Sequence, residues 1–207
     1  MTLASCDSRK TAGENPFFTE WDTPHGVPPF DKILPEHFMP AFERGMSLHE
    51  AEIDAITSNK DEATFENTIL AYDNAGQMLA QTELVFGMLC AAETNDRMQA
   101  LQEQAMPLLA AHRDKIRLDD KLFVRVKEVY DRRAALGLDA EQMRLLQKTY
   151  DSFVRAGALL DAEQKARLKE INGQLSLTAV KFGNNILAEN NNFVLELKSD
   201  ELDGLPA

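Results

Sequence analysis

Cysteine is almost absent from this chain of 207 residues, which contains only Cys6 and Cys90. Two cysteines are too few for a disulfide framework or for a zinc site built from thiolates. Cys90 lies in the apolar stretch 86–92, without a basic or histidine neighbour that would activate a thiolate. We interpret it as a small hydrophobic side chain buried in a helix.

Positive charge is also scarce, since 22 Lys and Arg residues stand against 34 Asp and Glu residues and the formal net charge is −12. A surface this acidic repels phosphate backbones, so we expect no nucleic acid partner. No run of apolar residues approaches the length that crosses a bilayer. A membrane is therefore expected as a partner only through a lipid anchor.

Proline is concentrated before residue 41, and only 10 glycines occur in the whole chain. The residues beyond are thus free of helix breakers over long stretches, and the apolar residues recur at steps of three, four or seven. The sequence predicts a mostly α-helical fold. Its expected helices cover about 35–59, 64–93 (one helix or two), 95–112 with a kink at Pro107, a helix ending near 137, then 139–157 and 161–186.

Helix N-caps are predicted at Thr64, Asn95, Asp139 and Asp161, because a side-chain oxygen at these positions can accept a free backbone N–H. The long last helix is expected to end within 188–192. In residues 193–198 the apolar side chains of Phe193, Leu195 and Leu197 alternate with Val194, Glu196 and Lys198. This period of two predicts one short terminal β-strand. A lone strand leaves backbone groups unpaired, so we expect its partner to lie beyond residue 207.

The stretch His49-Glu50-Ala51-Glu52-Ile53 resembles the zinc-peptidase signature His-Glu-x-x-His, but Ile53 replaces the second histidine. His49 continues a helical apolar stripe, which is typical of a core or boundary histidine. His25, His37 and His112 are the other histidines, and no spacing among them argues for a metal site.

Other polar groups have simpler interpretations. Arg132 and Arg133 suit the C-terminal turn of a helix, with binding of a carboxylate as the alternative. Asp119, Asp120 and Glu141 suit helix caps and solvated faces. The sequence contains no glycine-rich phosphate loop, nucleophile elbow or Cys-x-x-Cys motif. We therefore predict no catalytic, cofactor-binding or metal-binding residue in this chain.

The first 14 residues are interpreted separately as a flexible tail. Leu3-Ala4-Ser5-Cys6 resembles the cleavage box of a bacterial lipoprotein, in which the cysteine becomes the lipidated N-terminus, although no charged and apolar regions precede it. A chance match in a polar tail is the alternative. Lipidation of Cys6 would place the protein in the cell envelope or periplasm; otherwise a cytoplasmic location is expected.

Six short stretches, in this order, resemble a known family. They are 15–18 (NPFF), 40–46 (PAFERGM), 65–71 (FENTILA), 94–96 (TND), 136–138 (LGL) and 201–206 (ELDGLP). Together they are similar to the N-terminal region of bacterial peptidyl-dipeptidases, also called dipeptidyl carboxypeptidases, which belong to the thimet-oligopeptidase family of zinc metallopeptidases.

This resemblance implies a helical protein split by a deep channel, with zinc held by a His-Glu-x-x-His helix and a downstream Glu. None of those residues has a match here, so residues 15–207 would be a helical N-terminal domain truncated before the catalytic zinc domain. That C-terminal domain would be its partner, and zinc and short peptides would be the cofactor and substrates of the intact enzyme. The chain alone would be inactive. In the intact enzyme it would form part of the wall of the channel.

A self-contained helical binding module, anchored to the envelope by a lipid, is the alternative function. An open reading frame that continues past Ala207 to a His-Glu-x-x-His motif would distinguish the two.

Overall fold

The computed structural model describes residues 15–196, which form a mostly α-helical protein. Its helices are α1 (Phe38–Ser58), α2 (Ala71–Asp73), α3 (Gln77–Ala92), α4 (Asp96–Arg117), α5 (Asp120–Asp131), α6 (Ala140–Arg155) and α7 (Ala162–Asn192). A π-helical segment, Phe65–Leu70, leads directly into α2, and short 3₁₀ helices occupy Pro16–Phe18, Pro24–Gly26, Pro35–His37 and Arg133–Ala135. The mostly α-helical prediction is confirmed.

The proline-rich N-terminal segment is held against the start of α1. The Asn15 side chain accepts the N–H of Phe17 at 3.1 Å and donates to the backbone oxygen of His37 at 2.8 Å. Trp21 donates its indole N–H to the Pro16 oxygen at 2.9 Å. Phe17 is buried against Phe38, with ring centroids 5.3 Å apart. This segment therefore contributes an aromatic side chain to the core.

The predicted N-caps are confirmed. The side chains of Thr64, Asn95, Asp139 and Asp161 each accept the N–H of the residue three positions later. At Asp139 and Asp161 a glutamine three residues on bonds back to the cap N–H, which completes a capping box. These caps fix where α4, α6 and α7 begin.

The predicted helix boundaries are confirmed in part, and the alternative left open for 64–93 is decided by the structure. The stretch 64–93 is divided into a π-helical segment, α2 and α3, because Gly76 takes a left-handed backbone conformation (φ +75°) that no helix continues. Helix α5 ends at Asp131, followed by a 3₁₀ turn, and not near Gly137. Helix α7 ends at Asn192, within the predicted range 188–192.

The predicted terminal strand is not formed in its described part. Residues 193–196 have no strand assignment, although Phe193 has an extended backbone (φ −70°, ψ 124°). A β-strand needs a second strand to bond with, and residues 15–196 contain none. Residues 197 and 198 lie outside the described range.

Two clusters of buried apolar side chains share α1 as a common wall. The N-terminal cluster contains Phe17, Ile33, Phe38, Ala41, Phe42, Leu79, Val85, Phe86, Met98, Ala105 and Leu109. The central cluster contains Ile53, Ile56, Ala63, Phe65, Ile69, Ile116, Leu122, Phe123, Val126, Val129, Leu146, Phe153 and Ala158. Because α1 enters both clusters, it holds α3 and α4 in fixed positions relative to α5 and α6.

A buried arginine holds the loop between α1 and the π-helical segment. Arg125 on α5 is 9% exposed and donates to the backbone oxygens of Asn59 at 3.0 Å and Asp61 at 3.1 Å, and to Asn67 Oδ1 at 3.1 Å. The same amide oxygen accepts the N–H of Thr64 at 2.8 Å. Asn67 thus links the cap of its own segment to α5.

Helix α7 packs on α4 and is otherwise largely exposed, with only Lys165 and Val180 buried along its length. Among the described residues, no helix is both long enough and apolar enough to span a bilayer.

Candidate functional site

A pair of histidines joins α1 to α4. His112 Nε2 lies 3.0 Å from His49 Nδ1, and the ring centroids are 5.0 Å apart. One of these nitrogens must donate a proton and the other must accept it, so at least one ring nitrogen in the contact is unprotonated. The contact is therefore incompatible with a state in which both imidazole rings carry two protons.

Glu50 lies on the far side of His112. One Glu50 carboxylate oxygen is 3.6 Å from His112 Nδ1, and the other accepts from Lys115 Nζ at 2.8 Å. The His112 side chain is only 3% exposed, and its Nδ1 forms no hydrogen bond with any residue in 15–196. The 3.6 Å separation from Glu50 is too long for one.

Gly76 packs against the His49 ring. Its backbone N–H donates to Glu52 Oε2 at 2.6 Å, which ties the start of α3 to α1. A Cβ atom on Gly76 would lie 2.9 Å from His49 Nδ1, closer than real contacts allow. Glycine is thus required here both for its positive φ and for the space that the imidazole occupies.

A cleft of about 490 Å³ opens beside the histidine pair. Its lining includes His49, Tyr72, Ala75, Gly76, Leu79, Ala80, Glu83, Leu84, His112, Arg113, Ile116 and Arg117. Arg113 donates to Glu83 at 3.1 Å across it. Burial raises the pKa of Glu83 and of Tyr72, in each case against the opposing influence of an arginine.

The histidines are both less basic than usual. Burial, followed by repulsion from His112, lowers the pKa of His49 below 6.5. Burial also lowers the pKa of His112, while the Glu50 carboxylate acts in the opposite direction. Both rings are therefore neutral at pH 7, which suits the hydrogen bond between them.

Comparison with known proteins gives several relatives but no match to a family model. The chain is 41% identical over 176 residues to the dipeptidyl carboxypeptidase of Escherichia coli and 38% identical over 174 residues to that of Salmonella typhimurium. These matches cover 85% and 84% of the chain. The chain is a homologue of the dipeptidyl carboxypeptidases.

The match to these dipeptidyl carboxypeptidases is partial, since the chain spans 26% of the length of each and aligns to their N-terminal region. Oligopeptidase A of Escherichia coli is more distant, at 24% identity over 185 residues, which is 89% of the chain and 27% of that relative. The resemblance inferred from the six short stretches is confirmed.

The residues considered for metal binding are mostly dispersed. His37 lies before α1, where its Nδ1 accepts the Leu34 N–H at 3.1 Å, and His25 lies in an exposed turn with φ +60°. Ile53 is 4% exposed and packs in the central cluster. In residues 15–196 no three His, Cys, Asp or Glu side chains converge as a metal ion requires.

The structure describes one of the two cysteines. Cys90 is partly buried at the edge of the N-terminal cluster, and burial raises the pKa of its thiol, as expected for a small hydrophobic residue. Cys6, the proposed lipidation site, lies outside the described residues.

The contact between His49 and His112 was missed by sequence reasoning. The two residues are 63 positions apart, and no motif links them. His112 lies on the apolar face of its predicted helix, as His49 does on α1. Two histidines on the buried faces of different helices were the only available signal.

The lowered pKa values predict a loss of stability in mild acid. The unfolded chain binds protons at its histidines below about pH 6.5, whereas the folded chain does not until a lower pH. The stability due to the neutral pair is therefore complete above pH 6.5 and decreases as the pH falls through the folded pKa values. The free energy of unfolding should change with pH by a fraction of the roughly 1.4 kcal/mol per pH unit that the uptake of one whole proton gives.

Urea denaturation between pH 7.5 and 5.5 measures this slope, and the variant His112→Gln should reduce it. Glu50, Glu52, Glu83, Arg113 and Lys115 face the pair from α1, α3 and α4 and remain in the variant, so their titration cancels in the comparison. His25→Gln, in an exposed turn, is the control. Equal slopes for all three proteins would contradict the prediction.

Proposed function

We propose that this chain forms the N-terminal helical domain of a peptidase that removes C-terminal dipeptides from short peptides. The observation that carries the proposal is the 41% identity to the Escherichia coli dipeptidyl carboxypeptidase over 85% of the chain. Since the chain spans 26% of that relative, the proposed activity is that of a longer protein. The remaining polypeptide would supply the catalytic domain.

The exposed surface of α7 supports this proposal. Ile171, Leu175, Phe182 and Ile186 follow one another at steps of four, seven and four, so they lie on one face of the helix. They are 44%, 62%, 66% and 46% exposed. Burying each of them would stabilise the protein by up to about 1.5–3 kcal/mol. We call these four residues the α7 stripe.

The occupant that we assign to the α7 stripe is the remainder of the longer peptidase. Phe193, Val194 and Leu195 extend the apolar surface past the end of the helix, with at least two thirds of each side chain exposed. A surface of this kind marks an interaction site more often than a solvated face. About three quarters of the length of the relatives lies outside the match, which supplies a polypeptide large enough to cover it.

In this function the chain walls and restricts the substrate channel. Zinc, held by the rest of the enzyme, would polarise the scissile carbonyl, and a glutamate there would activate water. The helices described here would limit access to short, unfolded peptides. The two buried clusters that share α1 suit this role, since they make a rigid wall.

A chimaera tests the proposal. The matching N-terminal region of the Escherichia coli dipeptidyl carboxypeptidase is replaced by this chain, and the release of the C-terminal dipeptide from a blocked tripeptide is measured. We expect activity within about tenfold of the parent, because the buried contacts of a homologous wall tolerate volume-conserving changes.

A control chimaera carries the Escherichia coli oligopeptidase A region, which is a more distant match to this chain. A folded, zinc-loaded chimaera without dipeptide release would contradict the proposal. Folding is checked by circular dichroism and zinc by metal analysis, so a misfolded protein is not mistaken for an inactive one.

The isolated chain is predicted neither to bind zinc tightly nor to cleave peptides. The second histidine of the zinc signature is replaced by Ile53, whose side chain is buried in the core. Metal analysis of the purified chain and assay of the blocked tripeptide provide the measurement. Stoichiometric zinc that is lost in His49→Ala, or hydrolysis that a chelator abolishes, would show the prediction to be wrong.

A further inference from the structure

Four positive side chains surround one cleft in this strongly acidic chain. Arg144, Lys148 and Arg155 project from α6, and Arg117 projects from the last turn of α4. The cleft has a volume of about 460 Å³, and its remaining lining residues are Asp151, Ser152 and Ala156. We call the part of the surface bordered by these four side chains the basic groove.

The basic groove continues into a neighbouring cleft. Arg117 and Arg155 also line a second space of about 420 Å³ between α4 and the first half of α7. Arg113, Asn172 and Ser176 add further polar groups there. A ligand several groups long could therefore contact cations from α4 and α6 at once.

The charges of the basic groove are not neutralised by neighbours within residues 15–196. None of Arg117, Arg144, Lys148 and Arg155 forms an ion pair there, whereas seven other Lys and Arg side chains do. Asp151, the single acidic residue of the lining, accepts from Gln147 at 2.9 Å. Asp114, which lines the second cleft, accepts from Asn172 at 2.8 Å.

Since like charges repel, four cations around one cleft create a local positive potential, in contrast to the net charge of −12 of the whole chain. Guanidinium groups bind carboxylates through paired, charge-assisted hydrogen bonds. A ligand with several carboxylates would neutralise the groove, while the overall charge of −12 would repel it from the rest of the surface.

We propose that the basic groove binds the carboxylates of acidic peptides. The proposal rests on the peptidase function in its choice of ligand, since a peptide offers a terminal carboxylate as well as those of Asp and Glu side chains. In the intact enzyme this groove would increase the local concentration of acidic substrates.

Fluorescence anisotropy with the purified chain tests this binding. The probes are a labelled peptide of glutamates with a free C-terminus and a matched peptide of glutamines. We expect the glutamate peptide to bind about tenfold more tightly at low salt, with a preference that declines as salt screens the charges. No preference between the two peptides would overturn the proposal.

Matched variants locate the site. Arg144→Gln with Lys148→Gln removes two charges from the basic groove, and we expect about tenfold weaker binding of the glutamate peptide. Lys32→Gln with Lys60→Gln removes two charges elsewhere, and binding should stay within about twofold. All four side chains are exposed, so folding is not at risk. Equal losses in both double variants would overturn the assignment to this groove.

Inorganic phosphate distinguishes a peptide site from a general anion site. Displacement of the glutamate peptide by phosphate at equal concentration would overturn the peptide assignment. The chimaera separates this proposal from the proposed function. An inactive chimaera together with peptide binding by the chain refutes the peptidase function alone, whereas an active chimaera without such binding refutes only the groove.

Discussion

Replacing Phe86 with alanine is expected to lower the free energy of unfolding by about 3–5 kcal/mol. The side chain is 1% exposed and its ring centroid lies 4.9 Å from that of Phe38 and 5.3 Å from that of Phe42. Its loss would leave a cavity between α1 and α3. Since the free energy of unfolding of a domain is only about 5–15 kcal/mol, this loss would remove a large fraction of the stability of the protein.

Urea denaturation followed by circular dichroism measures this change, with Phe193→Ala as the matched control. Phe193 is 74% exposed, so its removal should change the free energy of unfolding by no more than about 0.5 kcal/mol. A loss below about 1.5 kcal/mol for Phe86→Ala would mean that the N-terminal cluster is not packed as described.

The second large effect is expected on the α7 stripe. Leu175→Glu with Phe182→Glu should reduce dipeptide release by the chimaera at least about tenfold. The two side chains would lose their apolar contacts with the rest of the enzyme, and two carboxylates would be buried without partners. In the isolated chain the same changes should alter stability by only about 0.5 kcal/mol, because both positions are exposed.

The control places glutamates elsewhere on the same helix, as Gln174→Glu with Lys181→Glu. Both positions are exposed, and helical spacing puts them away from the α7 stripe. The chimaera with these changes should retain most of its activity. Similar activity in the two double variants would show that the α7 stripe is not the surface through which the domains join.

Features that depend on neighbouring residues were predictable from the sequence. Thr64, Asn95, Asp139 and Asp161 cap helices because each side chain reaches a backbone N–H three residues away. The proline-rich start and the helical periodicity are local in the same sense. These signals were sufficient to predict the fold class and the starts of three helices.

Features that depend on distant residues were not predictable. The contact of His49 with His112 and that of Asn67 with Arg125 join residues 63 and 58 positions apart. The need for glycine at position 76 arises partly from the space that His49 occupies, which no local pattern records. The predicted terminal strand is not formed at residues 193–196, because alternation describes a side-chain pattern and not the partner that a strand requires.

The exposed end of α7 provides the most direct test of the proposal that this chain is one domain of a longer peptidase. Hydrogen exchange at residues 193–196, and along α7, is compared between the isolated chain and the chimaera. In the isolated chain these four residues lack secondary structure, so their amides should exchange rapidly. We predict at least about tenfold slower exchange in the chimaera, where the catalytic domain would cover them. Equally fast exchange in both proteins would contradict it.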